Sequence, residues 1–511
     1  MSRRRKIFIV VGIILGVAVL IPVIRHYQLR FEVESYIAEL KAKGERMELV
    51  QVVPLPVPTN QNSASLFLKA VSLFNTNETV LNTNQPPTVR MVAAGKAMVG
   101  WQRPDVCEYV HEATNSWQEI DFALAKESGA LDLLRQLPED AAFDFQLNFS
   151  NGFSKVKFSP LASAKRAALK LEADISSSLH RSDSATAVKD IESMLSVTHG
   201  ISHDSILISE LVRIAIAQIT LAANWELLQS TNLTDEQLAG LQDHWSRLEF
   251  IHAYERAVAL ERAVGKIEVA NMRDTSLQCY FGSFKNIGLI DTDKGIFAGL
   301  KIRSQSALWR YWWSYPDELR YLQGLQTVIE ASRQAKTNFS LFAANKWVNN
   351  RFEELGIKPD DDEGFWFVDP AKANFHYIIS SSVMAFKSAF TKLAKVEASR
   401  QMIMTAIALK RFQLKHGYYP ENISELTPEF LPTIPLDPVD GQPLRYRRNA
   451  DGLFMLYSVG ANGVDDGGDP SLEKNVTSSN YYWQNDHALD WVWPQPATAE
   501  EIKNYYTHPP K

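Results

Sequence analysis

From residue 7 to residue 24 the chain carries eighteen consecutive positions with neither a charge nor a hydrogen-bonding side chain, directly behind Arg3, Arg4, Arg5 and Lys6. At about 1.5 Å per residue a helix of that length rises about 27 Å, close to the thickness of a bilayer's hydrocarbon core. The pattern predicts an N-terminal transmembrane helix. After residue 24 stand Arg25, His26 and Tyr27, with no small-residue cleavage site, so the segment reads as an uncleaved anchor. From 29 to 46 the period changes: Phe31, Tyr36, Ile37 and Leu40 recur at helical spacing and mixed charge fills the remaining positions, which predicts that the helix continues beyond the membrane.

Further along, 59–74 reads as a capped helix behind Pro54, Pro56 and Pro58, 75–87 as a polar loop, and 131–137 as helix. Between 143 and 158, apolar and polar positions alternate around Ser150-Asn151-Gly152, which predicts a hairpin. Helical periodicity then dominates over 161–180, 185–198, 205–228 and 234–248, the last opening on Thr234 and Gln237 in capping-box positions. Short links make such neighbours antiparallel, hence a helical bundle. The stretch 205–225 is apolar nearly all round, but Glu210, Arg213 and Gln218 favour a buried central helix over a second membrane pass, and Glu210 and Arg213, one turn apart, can satisfy each other. A Gly-punctuated loop is expected at 282–299, a helix from Pro316 to about 335, an acidic linker at 359–364 and the last helices over 375–416.

From 399 to 468 the order of elements becomes specific. Ile403, Ala406, Ile407 and Leu414 lie at helical spacing, Lys410, Arg411, Lys415 and His416 bring cations to the last turns, and Gly417 ends the helix. Pro420, Pro428, Pro432, Pro435 and Pro438 forbid its continuation, and strands at 444–447 and 453–457 flank Asn449-Ala450-Asp451-Gly452 as a hairpin. The phrases ALKRF, HGYYP, IPLDP, GQPLRYR and LYSVGANG with a Gly-Gly loop stand in an order that resembles the C-terminal domain of the major pseudopilins of type II secretion. The helical middle is similar to that of bacterial envelope proteins that carry such an end. The resemblance implies a calcium ion in the Gly/Asp loop, where Asn462, Asp465, Asp466 and Asp469 gather oxygen donors among glycines and Asp490 closes the set from a terminal strand. The same residue types are the ordinary content of turns, and both readings stand at this point.

Composition narrows the classes. Net charge is −6 and no basic stripe follows the first residues, so nucleic acid is not an expected partner. Cys107 and Cys279 are the two cysteines, either one bridge or two buried thiols. His252 and Glu255, with Glu261 nearby, have helical metal-ligand spacing, and His199 and His203 flank a turn, but without a second cluster each pair reads as ion-paired or structural. No nucleophile elbow, zinc-protease motif, phosphate loop or dinucleotide fingerprint is present, and no catalytic or cofactor-binding residue is assigned. The aromatic run 309–315, WRYWWSY, is either core or an exposed patch, and core packing against Leu322, Leu325 and Ile329 is preferred.

The expected protein is mainly α: a basic cytoplasmic tail (1–6), a transmembrane anchor (7–24), a helical stalk with loops (25–130), a periplasmic helical body with a small hairpin (131–358), an acidic linker with the start of a long helix (359–395) and a small α+β pseudopilin-like subdomain with short antiparallel strands (396–511). Basic residues ahead of the anchor place the bulk outside the inner membrane. The expected role is a membrane-anchored structural or interaction protein of the envelope with envelope proteins as partners. The alternatives are a periplasmic enzyme with a scattered site, and a binding module for peptide or cell-wall fragments that uses the aromatic run.

Overall fold

A computed structural model describes residues 3–74, 89–99, 106–107, 115–153, 156–274, 307–357, 377–473 and 487–508. The loops expected at 75–87 and 282–299, the acidic linker at 359–364 and Cys279 lie outside the described residues. The chain is mainly helical with small sheets of short strands, as the hydrophobic periods predict.

Helix α1 (Arg3–Ala42) is one continuous rod, long because no glycine or proline pair interrupts its second half. Beyond residue 31 it belongs to the body: Val33 and Leu40 are buried, with Tyr36 and Ile37 packed against the same core. Helix α2 (Ala64–Ser72) is shorter than the expected 59–74, because residues 59–63 form a turn in which the Gln61 and Asn62 N–H groups donate to the Pro58 carbonyl at 2.8 and 3.0 Å. A β-hairpin of β1 (Arg90–Ala93) and β2 (Lys96–Met98), not expected from the sequence, precedes α3 (Trp117–Lys126) and α4 (Ser128–Leu134).

The body is built on α5 (Leu161–His180), α6 (Ser184–Ile201), α7 (Leu207–Leu228), α8 (Asp235–Ser246), α9 (Phe250–Asp274), α10 (Ser314–Asn338), α11 (Leu341–Glu354) and α12 (Val383–His416). The Thr234 hydroxyl accepts from the Gln237 N–H, the expected capping box. By length and composition α7 could cross a membrane. Instead it is mostly buried against α5, α6, α9 and α12. Ile214, Ile216, Leu221, Trp225 and Leu227 all lose their water contact there, at about 1.5–3 kcal/mol for each large side chain. Glu210 and Arg213 pair within the bundle, and Arg213 Nε also donates to the Thr198 carbonyl at 2.9 Å.

The hairpin expected over 143–158 does not form among the described residues. Its alternation is real, with Phe143 stacked on Phe67 at 4.7 Å, but the backbone finds another partner. Asn62 Nδ2 donates to the Asp144 carbonyl at 3.0 Å, the Asp144 N–H donates to Asn62 Oδ1 at 3.2 Å and the Val57 N–H donates to Asp144 Oδ2 at 3.1 Å. An extended segment thus lies along residues 57–63 and leaves Ser150-Asn151-Gly152 as a surface turn.

At the C-terminal end, Gly417 caps α12 in the left-handed region, φ +83°, with its N–H on the Gln413 carbonyl at 2.7 Å. Strands β3 (Arg445–Arg448) and β4 (Phe454–Val459) form the expected antiparallel hairpin. The terminal strand β5 (Asp490–Val492) adds antiparallel to β4. Strand β6 (Gln495–Pro496) then pairs parallel with β2, and α13 (Ala499–Thr507) follows. The boundary expected at residue 396 falls inside α12, whose buried face is common to the body and the small sheet. Leu426, Phe430, Leu456, Val459 and Trp491 belong to the same core cluster as the bundle.

Candidate functional site

The Gly/Asp loop lies between β4 and β5, the two strands that hold its ends. Gly460 opens it at the point of closest approach: a Cβ there would stand 2.1 Å from the Leu489 carbonyl oxygen, so no other residue fits. Arg445 on β3 reaches three carboxylates. Its Nη1 donates to Asp437 Oδ2 at 3.2 Å and Asp440 Oδ1 at 3.1 Å, Nη2 to Asp440 Oδ2 at 2.6 Å and Nε to Asp465 Oδ2 at 3.2 Å. Asp465 Oδ1 accepts from the Tyr457 hydroxyl and the Gly467 N–H, both at 3.0 Å. Burial pushes the Asp465 carboxyl up, but these donors outweigh it and hold it below the usual carboxylate range.

Asp490 is fully buried. Its Oδ2 receives three backbone N–H groups, from Asp466 at 3.1 Å, Gly468 at 2.8 Å and Asp469 at 3.3 Å, and its Oδ1 is buried without a hydrogen-bond partner. Burial raises its carboxyl above the ordinary value against the pull of those three donors. Asn462 Nδ2 donates to Asp466 Oδ2 at 3.0 Å, and Asp469 Oδ1 accepts from the Ser471 N–H at 2.9 Å.

In this arrangement the expected calcium residues Asn462, Asp465, Asp466, Asp469 and Asp490 are each engaged by groups of the chain itself. A hard cation needs six to eight oxygens converging on it. Here the backbone presents N–H groups to Asp490, Arg445 neutralises Asp465, and Asp466 and Asp469 close local turns. Among the described residues, no group of three or more His, Cys, Asp or Glu side chains is placed to hold a metal ion. The arrangement is a concave row of backbone donors filled by the chain's own carboxylate.

Asp437, the aspartate of IPLDP, is the residue that sequence reasoning missed. It is fully buried and accepts from the Val439 N–H at 3.0 Å, the Ser458 hydroxyl at 2.8 Å, the Val459 N–H at 2.9 Å and Arg445. A carboxylate flanked by two prolines was the available signal.

The remaining candidates are dispersed. Glu255 accepts from Arg333 Nε at 2.7 Å and Lys336 Nζ at 3.2 Å, and His252 lies 3.4 Å from the same lysine. Glu261 Oε1 takes the Leu207 N–H at 2.6 Å, and burial pushes its carboxyl up to about 7. His199 Nδ1 stands 3.0 Å from the Ala141 carbonyl oxygen, and burial lowers the His203 imidazole.

A second constellation joins α1 to the body. Glu45, just past α1, accepts from Arg262 of α9 at 3.2 Å and from Gln326 at 3.1 Å and Arg333 at 2.5 Å, both on α10. Burial would raise the Glu45 carboxyl, but the hydrogen bonds from Arg333 and Gln326 and the charge of Arg262 outweigh it and hold it at about 2. Arg262 has no exposed surface and also donates to Gln326 and to the Arg46 carbonyl. No family model, no curated protein and no solved structure matches the chain.

Proposed function

We propose that the chain is a single-pass inner-membrane protein that holds a helical body in the periplasm and acts there as a structural or interaction component of the envelope. The observation that supports this most directly is the division of α1. Leu20, Ile21, Val23, Ile24, Tyr27 and Phe31 are exposed apolar side chains on the helix that continues the apolar run 7–24, whereas Val33, Leu40 and Glu45 are built into the body. Exposed apolar side chains in continuity with such a run suit a lipid environment, and a buried ion network at the other end suits a fixed support. The α12, β3, β4 and β5 unit supports the pseudopilin-like reading of the C-terminal end, and through it a link to secretion or envelope assembly.

Fractionation of cells that express the full chain tests this. The protein is expected intact in the inner-membrane fraction, resistant to extraction at alkaline pH, with its original N-terminus. A mature N-terminus beyond residue 24, or release from the membrane, would refute the anchor.

A further inference from the structure

The aromatic run expected in the core divides in the structure: Trp309 is buried, but Tyr311 and Trp312 are exposed. Residues Trp309–Trp313 form a π turn at the head of α10, closed by the Ser314 N–H on the Trp309 carbonyl. Trp309 is a core bolt: its ring is buried and its Nε1 donates to Asp317 Oδ2 at 2.9 Å, while Asp317 also takes the Ile379 and Ser380 N–H groups at 3.0 and 2.9 Å. The wide turn carries its neighbours off that face, leaving Leu308 46%, Tyr311 62% and Trp312 43% exposed.

These outward side chains are fixed at a definite level on α1. His26 Nδ1 stands 3.2 Å from the Tyr311 carbonyl oxygen, and the His26 ring meets Tyr315 edge-on at 5.0 Å. Tyr315 in turn lies under Arg273, 3.9 Å from the ring centroid. His26 is two residues past the end of the apolar run 7–24, about 3 Å along the helix. Exposed Tyr27 and Phe31 continue the aromatic surface on α1 itself, and exposed Arg25 and Arg30 flank it.

We infer that Leu308, Tyr311 and Trp312 form, with Tyr27, an aromatic collar that seats the body on the headgroup layer of the outer leaflet of the inner membrane. Tryptophan and tyrosine favour that layer because one end of each ring is apolar and the other donates a hydrogen bond. Contact at the level of residue 26 puts the collar at the edge of the hydrocarbon core and no deeper. The collar gives the body a fixed face toward the membrane, with Arg25 and Arg30 at the height of anionic headgroups. This inference rests on the anchor reading, and its test separates the two.

Nitroxide labels are placed one at a time on the full chain with Cys107→Ser and Cys279→Ser, through Ile24→Cys, Trp312→Cys and Val464→Cys, all exposed positions. The protein is reconstituted in phosphatidylcholine vesicles containing phosphatidylglycerol, and collisions with oxygen and with a water-soluble nickel chelate are measured. Val464 is the aqueous reference. Its loop packs on Phe342, past the far end of α10, and a helix of that length sets it about 35 Å from the collar. The expected result is a label at 312 that is open to oxygen and at least about threefold less accessible to nickel than the label at 464, with 24 more shielded still. If 24 is shielded and 312 matches 464, the collar is refuted and the anchor stands. A label at 312 closed to both quenchers refutes the collar in favour of a protein contact. If 24 itself is open to nickel, anchor and collar fall together.

Discussion

Asp204 and Asp437 are both buried carboxylates that burial pushes up to about 6, and they differ in the groups that hold them. Asp204 sits at the turn between α6 and α7 with two hydroxyl donors, Ser159 at 2.5 Å and Ser209 at 2.7 Å, and among the described residues no cation is bonded to it. Burial pushes its carboxyl up to about 6, with the two hydroxyls opposing and Asp144 adding to the rise. The folded state then binds a proton more tightly than the unfolded chain, so stability should fall as pH rises from about 4 through 6, by about 2–3 kcal/mol. Asp204→Asn is expected to flatten that fall, read as denaturant midpoints between pH 4 and 7. A profile as steep as the parent's would count against it. Asp437 instead has two backbone N–H donors, a hydroxyl and Arg445. Asp437→Ala strands those buried donors and should cost about 3–5 kcal/mol, seen in thermal unfolding. Asp490 is similar: Asp490→Ala should lower the melting temperature by several degrees, while calcium added to metal-stripped parent protein should leave it unchanged, because Asp490 Oδ2 is already taken by three N–H groups and Asp465 by Arg445. A calcium-dependent rise abolished by Asp490→Ala would overturn this account of the loop.

Among the elements, what was legible followed the length and purity of the pattern. Residues 161–180 were readable to the residue, and the cap at Thr234 and the stop at Gly417 carry their own chemistry in one or two side chains. The failures share a physical cause, the choice of partner. Alternation over 143–158 correctly implied extended chain with phenylalanines inward, yet the backbone bonds went to Asn62, some eighty residues away, which no local pattern encodes. The aspartates of the Gly/Asp loop were visible, but the Arg445 contact to Asp465 and the three N–H groups on Asp490 were not, since neither is a property of the loop's own sequence. WRYWW was expected in the core and is only partly there, because a π turn breaks the helical period on which such sorting depends. The junction behind α1 was equally hidden, since Glu45, Arg262, Gln326 and Arg333 are far apart in the chain. Glu45→Gln leaves the fully buried Arg262 without its carboxylate, so a loss of about 3 kcal/mol is expected in the full chain. The parent's share of that stability is present above about pH 4.4 and lost as pH falls toward 2, so the two proteins should converge in acid. Equal stability of parent and variant at pH 7 would show that the junction carries no weight.

Taken together, α1 and α10 run side by side in the same direction, from the His26 and Tyr315 contact to the Glu45 and Arg333 ion pair. The C-terminal unit meets the far end of α10, where the Leu341 and Phe342 N–H groups donate to the Pro438 and Val439 carbonyls at 2.8 and 3.0 Å. It is further fastened by Trp225 Nε1 on the Pro494 carbonyl at 3.0 Å and by β6 beside β2. A chain cut by an inserted protease site at residue 360 should therefore stay in one piece on a sizing column, its fragments parting only in denaturant. Separate elution of the fragment that follows residue 360 would make the unit a detachable domain after all. The orientation of this rigid assembly across the membrane is the central claim, and a C-terminal fusion tests it in one step. With alkaline phosphatase, an enzyme active only outside the cytoplasm, joined after Lys511, cells should show full phosphatase activity in their membrane fraction. An inactive phosphatase fusion beside a fluorescent cytoplasmic reporter at the same position would contradict the account.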